Sequence, residues 1–128
     1  MPASANNSGS LKRFWVYWLP VIAYAGLIFF LSSIPARYIP RLFNRQDLIF
    51  HFLEYLVFAL LINRAWQVYY PGHSFYRRFF LIFTFALIYA IIDELHQAFV
   101  PGRNTSLIDI ASDGLGIIVA NIFYRWPR

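Results

Sequence analysis

Long apolar runs separated by short polar breaks make up nearly the whole chain. The first uncharged run, Phe14 to Ala36, follows Lys12 and Arg13 and would reach about 34 Å as a helix, enough to cross a bilayer. A signal peptide also opens on basic residues, but its apolar core covers only roughly 7 to 15 residues and ends at a small-residue cleavage site. Pro20 is compatible with a membrane helix because neighbouring helices can satisfy the carbonyl it frees. Pro35 to Gln46 holds Pro35, Pro40, Arg37, Arg41 and Arg45, which forbids a regular helix throughout and suits an interfacial segment. The pattern predicts a second helix from Asp47 to about Trp66, a turn at Pro71 and Gly72, and a third helix from Phe79 to Val100 that is apolar up to Ile92 and polar after it. Pro101 to Ser106 forms a turn, Ser106 suits an N-cap, and a fourth helix follows from Leu107 to about Tyr124, with Trp126 near an interface. Met1 to Ser10 is small and polar and reads as a disordered tail, leaving 11–128 as one membrane domain. The expected fold is all-α, a polytopic bundle of about four transmembrane helices.

Composition sharpens this reading. Hydrophobic residues make up 59% and charged residues 13%, whereas a soluble domain carries roughly 25% charged residues. Six acids and eleven bases are too few to cover a soluble bundle of 128 residues. The net charge of +5 does not imply nucleic acid, because the bases sit at the ends of apolar runs and form no stripe. They fit positive-inside topology. With both termini inside, Lys12, Arg13, Arg64, Arg77, Arg78, Arg125 and Arg128 are cytoplasmic, against Arg37, Arg41, Arg45 and Arg103 outside. The lack of cysteine excludes disulfides, thiolate metal sites and thiol nucleophiles.

In that orientation all six acids, Asp47, Glu54, Asp93, Glu94, Asp109 and Asp113, fall at the outer helix ends. Asp47, His51 and Glu54 share one face of the second helix with Tyr55 beside it; Asp93, His96 and Gln97 share a face of the third, and Glu94 points about 100° away from Asp93. Asp109, Asp113 and Gly116 line one face of the fourth. Ionisable groups roughly 6 to 10 Å inside helix ends cost several kcal/mol unless they face one another or water, so they are expected to converge in a polar pocket. Separately snorkelling side chains are the alternative. The chemistry stays open. His51, Glu54, His96 and one or two aspartates could hold zinc, manganese or iron, although no HExxH pattern supports a metal, and the same groups could do acid/base work or form a plain hydrogen-bond network. No nucleophile stands out, since Thr105 and Ser106 suit capping, and Arg103 is expected to pair with a pocket acid or else to meet an anionic headgroup. His73 reads as a surface residue.

Two stretches resemble the VanZ-like membrane protein family: DLIFHFLEYLVFALL at Asp47 to Leu61 and YAIIDELHQAFVPGRNTSLIDIASDGLG at Tyr89 to Gly116. The second is the more specific, with Asp93, Glu94, Gln97, Pro101, Gly102, Arg103 and Asp109 in order. Leu48 stands where the family often has lysine, so no role for that lysine carries over, and Asp113 stands where asparagine is usual, adding an anionic ligand. The resemblance implies a bacterial inner-membrane protein of a group named for lowered susceptibility to teicoplanin, without implying a cofactor or a reaction. The expected partners are the lipid bilayer and a lipid-linked envelope component, with no nucleic acid. The first functional reading is engagement of a lipid headgroup or cell-envelope precursor; the alternative is an intramembrane, metal-assisted enzyme acting on an envelope lipid. A transporter is disfavoured because no polar path is visible in the inner half of the helices.

Overall fold

The computed structural model describes residues 5–124, and among them it contains four α-helices and no strand. They are α1 (Ala5–Ser32), α2 (Gln46–Tyr69), α3 (Phe75–Gln97) and α4 (Leu107–Phe123), with a single 3-10 turn at Ala36–Tyr38 between α1 and α2. This is the expected bundle of about four helices.

The ends depart from the sequence expectations for local reasons. Helix α1 begins at Ala5, inside the stretch read as a disordered tail; once the apolar part is nucleated, extending a helix by further turns costs little. It stops at Ser32 instead of Ala36, where Ser32 and Ser33 hydroxyls both donate to the Phe29 carbonyl and Pro35 disfavours helical geometry before it. Helix α3 begins at Phe75, four residues before Phe79, because Ser74 caps it by accepting from the Arg77 amide; Arg77 and Arg78 lie in its first turns. It ends at Gln97 instead of Val100. Ser106 caps α4 as expected, accepting from the Asp109 amide. Trp126, Arg125 and Arg128 lie outside the described residues.

Three helices, α1 from Asn7 onward, α2 and α3, are long and apolar enough to cross a membrane. Helix α4, at 17 residues, is about 26 Å long, a little under the roughly 30 Å bilayer core. The outer surface is apolar: Ile22, Phe30, Phe80, Phe85, Leu95 and Leu115 are each more than half exposed. An apolar surface this continuous is what lipid, not water, solvates. The chain is a membrane protein.

The interior is narrow and uses small residues to bring helices together. Ala59, Ala65, Ala86, Ala90 and Ala120 are buried among Tyr55, Phe58, Ile28, Ile62, Ile82 and Ile117. Helices α2 and α4 approach closely at Gly116, where an added Cβ would run into the Phe52 carbonyl and stand 3.0 Å from the Leu56 amide nitrogen. Ser112 also donates from its hydroxyl to the Leu48 carbonyl, at 2.5 Å. On the other side, the Tyr89 hydroxyl donates to the Ala25 carbonyl at 2.6 Å and ties α3 to α1.

Consecutive helices run antiparallel, as contacts between the start of one and the end of another show. Arg13 near the start of α1 donates to the Val68 carbonyl near the end of α2, and Arg78 in α3 donates to the Tyr124 carbonyl just past α4. These arginines gather at one end of the bundle, where they also complement the carbonyl ends of α2 and α4. The acids lie at the other.

Candidate functional site

The acidic end is built by two loops that fasten to each other. The Ala36 amide donates to the Pro101 carbonyl at 3.2 Å, and Gly102 sits in a left-handed conformation, φ 76°, with so little room that a Cβ there would lie 2.9 Å from the Ala36 Cβ. Gln46 is buried at the start of α2, where its side chain accepts from the Leu42 amide and donates to the Pro40 carbonyl, closing the preceding loop. Arg103 completes the junction. It donates to the Leu31 carbonyl at 3.0 Å, which also accepts from the Ile34 amide, and to the Ile34 carbonyl at 3.1 Å, and so ties the loop to the end of α1. The sequence suggests a pocket acid or an anionic headgroup as its partner; within the chain its hydrogen bonds go to backbone carbonyls.

Behind these loops, α2 and α4 meet through His51. Its Nδ1 stands 2.8 Å from Asp113 Oδ1, and its Nε2 stands 3.9 Å from Asp109 Oδ2. Asp113 is 1% exposed and His51 7% exposed, so the short contact is shielded from solvent. The i, i+4 spacing of Asp109 and Asp113 puts both carboxylates on the face of α4 that meets α2.

Helix α3 contributes two acids in different directions, as their angular separation requires. Glu94 is fully buried; its Oε1 accepts from the Ser106 amide at 2.7 Å, fixing it against the start of α4, while Oε2 has no hydrogen-bond partner. Asp93 lies against Ser32 of α1 and Gln97 of its own helix, with Oδ1 buried and unpaired. The Tyr55 hydroxyl is likewise buried without a partner. His96 does not join His51: it shares a 2.9 Å hydrogen bond with the Ser33 hydroxyl and stacks on Phe29, ring centroids 4.3 Å apart, on the α1 side. Of the metal ligands expected from the sequence, His51, Glu54, His96 and one or two aspartates, the structure groups His51 with Asp109, and Glu94, which was not among them, completes the group in place of Glu54 and His96, with donor atoms all within 4.8 Å of one another.

Two clefts open beside this cluster. One, about 370 Å³, is lined by polar groups from both loops and helices, among them Arg41, Asp47, His51, Asn104, Ser106 and Asp109. The other, about 380 Å³, runs between α1 and α2 with Tyr24, Leu31, Phe50, Leu53 and Val57 in its walls and Glu54 among them. They adjoin, because Ile39, Asp47, His51, Gln97 and Arg103 line both.

Residues 14–128 match the family VanZ/LLP1, nearly the whole chain. The chain belongs to the VanZ/LLP1 family. No curated protein and no solved structure matches it. The resemblance carried by the Asp47–Leu61 and Tyr89–Gly116 stretches is thus a family relationship, and those stretches supply the His51, Glu94, Asp109 and Asp113 side chains that meet in this VanZ/LLP1 member.

Sequence reasoning passed over one further polar pair. Asn63 of α2 and Asn121 of α4 are buried toward the basic end, and the Asn63 amide donates to Asn121 Oδ1 at 2.9 Å. Two isolated asparagines in apolar runs carry no charge, but buried amides need partners, and that was the available signal. His73, read as a surface residue, is half-buried and accepts from the Trp66 indole at 3.2 Å.

Proposed function

We propose that the acidic end faces the extracytoplasmic side of a bacterial cytoplasmic membrane, both termini inside, and engages the headgroup of an amphiphile, a lipid or a lipid-linked cell-envelope precursor. The observation that carries this reading is the junction of the two clefts. A polar cleft at the helix ends continues into an apolar one between α1 and α2, whose walls Leu31, Phe50, Leu53 and Val57 are each more than a third exposed along the flank of the bundle. A molecule with a polar head and a long chain matches both halves at once; a free headgroup matches one, and a hydrocarbon the other. Family membership makes glycopeptide susceptibility the phenotype through which such binding would be read, by altering the supply or exposure of an envelope precursor.

The test uses purified protein in lipid nanodiscs. A long-chain phospholipid and a polyprenyl phosphate are compared with their water-soluble headgroups, with Val57→Trp to fill the apolar cleft. Retention of a long-chain ligand that Val57→Trp abolishes supports the reading. Equal binding of the free headgroup, or long-chain binding indifferent to Val57→Trp, overturns it.

The His51–Asp113 pair favours a second reading, an intramembrane enzyme acting on an envelope lipid, because a carboxylate-oriented imidazole with its other nitrogen toward a cleft is the arrangement a general base needs. Conversion of a labelled long-chain substrate, abolished by His51→Gln with ligand binding intact, distinguishes chemistry from binding.

A further inference from the structure

We propose that His51 Nε2 and the carboxylates of Glu94 and Asp109 hold one divalent cation of the zinc class beside the polar cleft. The site stands on its own geometry and does not depend on an amphiphile occupying the cleft.

The first support is the state in which the bundle holds His51. Asp113, as a carboxylate, can only accept, so the 2.8 Å contact assigns a proton to Nδ1 and makes Nε2, which faces Asp109, the nitrogen that would ligate a cation, any proton on it being displaced by the metal. A carboxylate bonded to the far nitrogen of a ligating imidazole is the usual outer support of a metal site, because it fixes the ring and raises its basicity. The second support is independent of the histidine. Glu94 is 0% exposed and is held by one oxygen to the Ser106 amide, which leaves Oε2 buried with nothing to bond. A carboxylate oxygen stranded in this way within a group of metal-ligating side chains is what a cation would satisfy.

Distances and charge agree. Two donors each about 2.0–2.2 Å from a zinc ion stand at most about 4.4 Å apart. The 3.9 Å between His51 Nε2 and Asp109 Oδ2 is already inside that limit, and the 4.8 Å bound on the three donors asks for a contraction of a few tenths of an ångström. One neutral imidazole and two carboxylates balance a divalent charge, which removes the repulsion between the buried Glu94 and the part-buried Asp109. Because His51 and Asp109 line the polar cleft, the remaining coordination position opens toward it and would accept an oxygen ligand.

The experiment uses the full chain, purified in detergent, stripped with a chelator, dialysed and titrated with Zn²⁺ alone. One equivalent is expected by elemental analysis and calorimetry. Glu94→Gln and Asp109→Asn should each weaken binding by ~10-fold or more, and Asp113→Asn, which changes no ligand and keeps an acceptor for Nδ1–H, by ~10-fold through the lowered basicity of His51. His73→Gln, at the other end of the bundle, should bind as the parent does. X-ray absorption at the zinc edge of the unmodified protein gives a readout that needs no variant to fold: one imidazole among oxygen donors is expected. Substoichiometric binding, affinity unchanged in both Glu94→Gln and Asp109→Asn, loss with His73→Gln, or a spectrum without exactly one imidazole would each overturn the site.

Discussion

His51 Nδ1 and Asp113 Oδ1 stand 2.8 Å apart and join α2 to α4 where both side chains are buried. The contact is the hub of the acidic end: around it lie Asp109 on the same helix as Asp113, Glu94 from α3, and the cleft residues contributed by the loops. Removing one partner leaves the other buried and unpaired, a loss of about 1–3 kcal/mol or more. Asp113→Ala should therefore lower the thermal midpoint in detergent markedly. Asp113→Asn, which restores the residue usual in the resembling family and keeps an acceptor for the Nδ1 proton, should cost less than half as much. Equal losses for the two would show that the hydrogen bond is not what the position contributes.

Gly116 and Gly114 lie two residues apart on α4 but meet different surroundings. A Cβ at Gly116 would strike the backbone of α2, which cannot move aside as a flexible side chain can, whereas one at Gly114 would meet only Leu87 Cδ1 at 3.8 Å. Gly116→Ala should force α4 off α2 and cost about 1–3 kcal/mol, the range for overpacking, with Gly114→Ala near neutral or slightly stabilising. The comparison is made on the yield of monodisperse protein and its thermal midpoint. If Gly114→Ala were the more damaging, the close approach of α2 and α4 would be misplaced.

The paired asparagines offer a test free of the acidic end. Asn63→Leu alone leaves Asn121 without its partner in an apolar layer, while Asn63→Leu with Asn121→Leu removes both amides. The coupling measured by the double-mutant cycle should be about 0.6 kcal/mol, the average for hydrogen bonds between membrane helices, and at most about 1.7 kcal/mol. Additive effects would mean that the two amides do not interact.

Much of this architecture follows from run length and spacing, and the places where it does not are instructive. The four apolar runs, the Ser106 cap and the divergence of Glu94 from Asp93 follow from periodicity, which local backbone geometry enforces. His96 shows the limit: the helical wheel sets it on the face of Asp93, and both meet the end of α1, but that its partners there are Ser33 and Phe29 and not His51 depends on how α1 packs against α3. Arg103 was matched to an acid because charge is visible in a sequence, whereas the carbonyls of Leu31 and Ile34 become acceptors only when α1 ends at Ser32. Pairings within an element are written in its period; pairings across elements depend on where each helix stops.

Topology is checked by cysteine labelling, for which the natural lack of cysteine gives a clean background. Asn104→Cys lies in the exposed turn at the acidic end and Gly72→Cys in the exposed turn at the basic end. An impermeant thiol reagent added to intact cells should modify the first and spare the second, as the excess of bases at the inner end requires. The reverse pattern would invert the proposed orientation and place the acidic end in the cytoplasm.

The last prediction separates the acidic end from the basic end by function. The proposed orientation accounts for Arg77 and Arg78, and Arg77 is exposed, so Arg77→Lys keeps the charge and should leave any phenotype in a host, glycopeptide susceptibility or envelope stress, unchanged. Asp93 is 4% exposed and lies against Ser32 and Gln97, a position that orientation in the membrane does not require. Asp93→Asn keeps the shape and removes an acceptor oxygen and its charge from the packed end of α1 and α3, so activity should fall by at least ~10-fold, the factor that a 1.4 kcal/mol loss of one buried polar contact produces. Protein abundance in the membrane is measured in parallel, because a variant that fails to accumulate mimics one that fails to act. Full activity of Asp93→Asn and His51→Gln at normal abundance, with Arg77→Lys inactive, would move the functional site to the other end of the bundle.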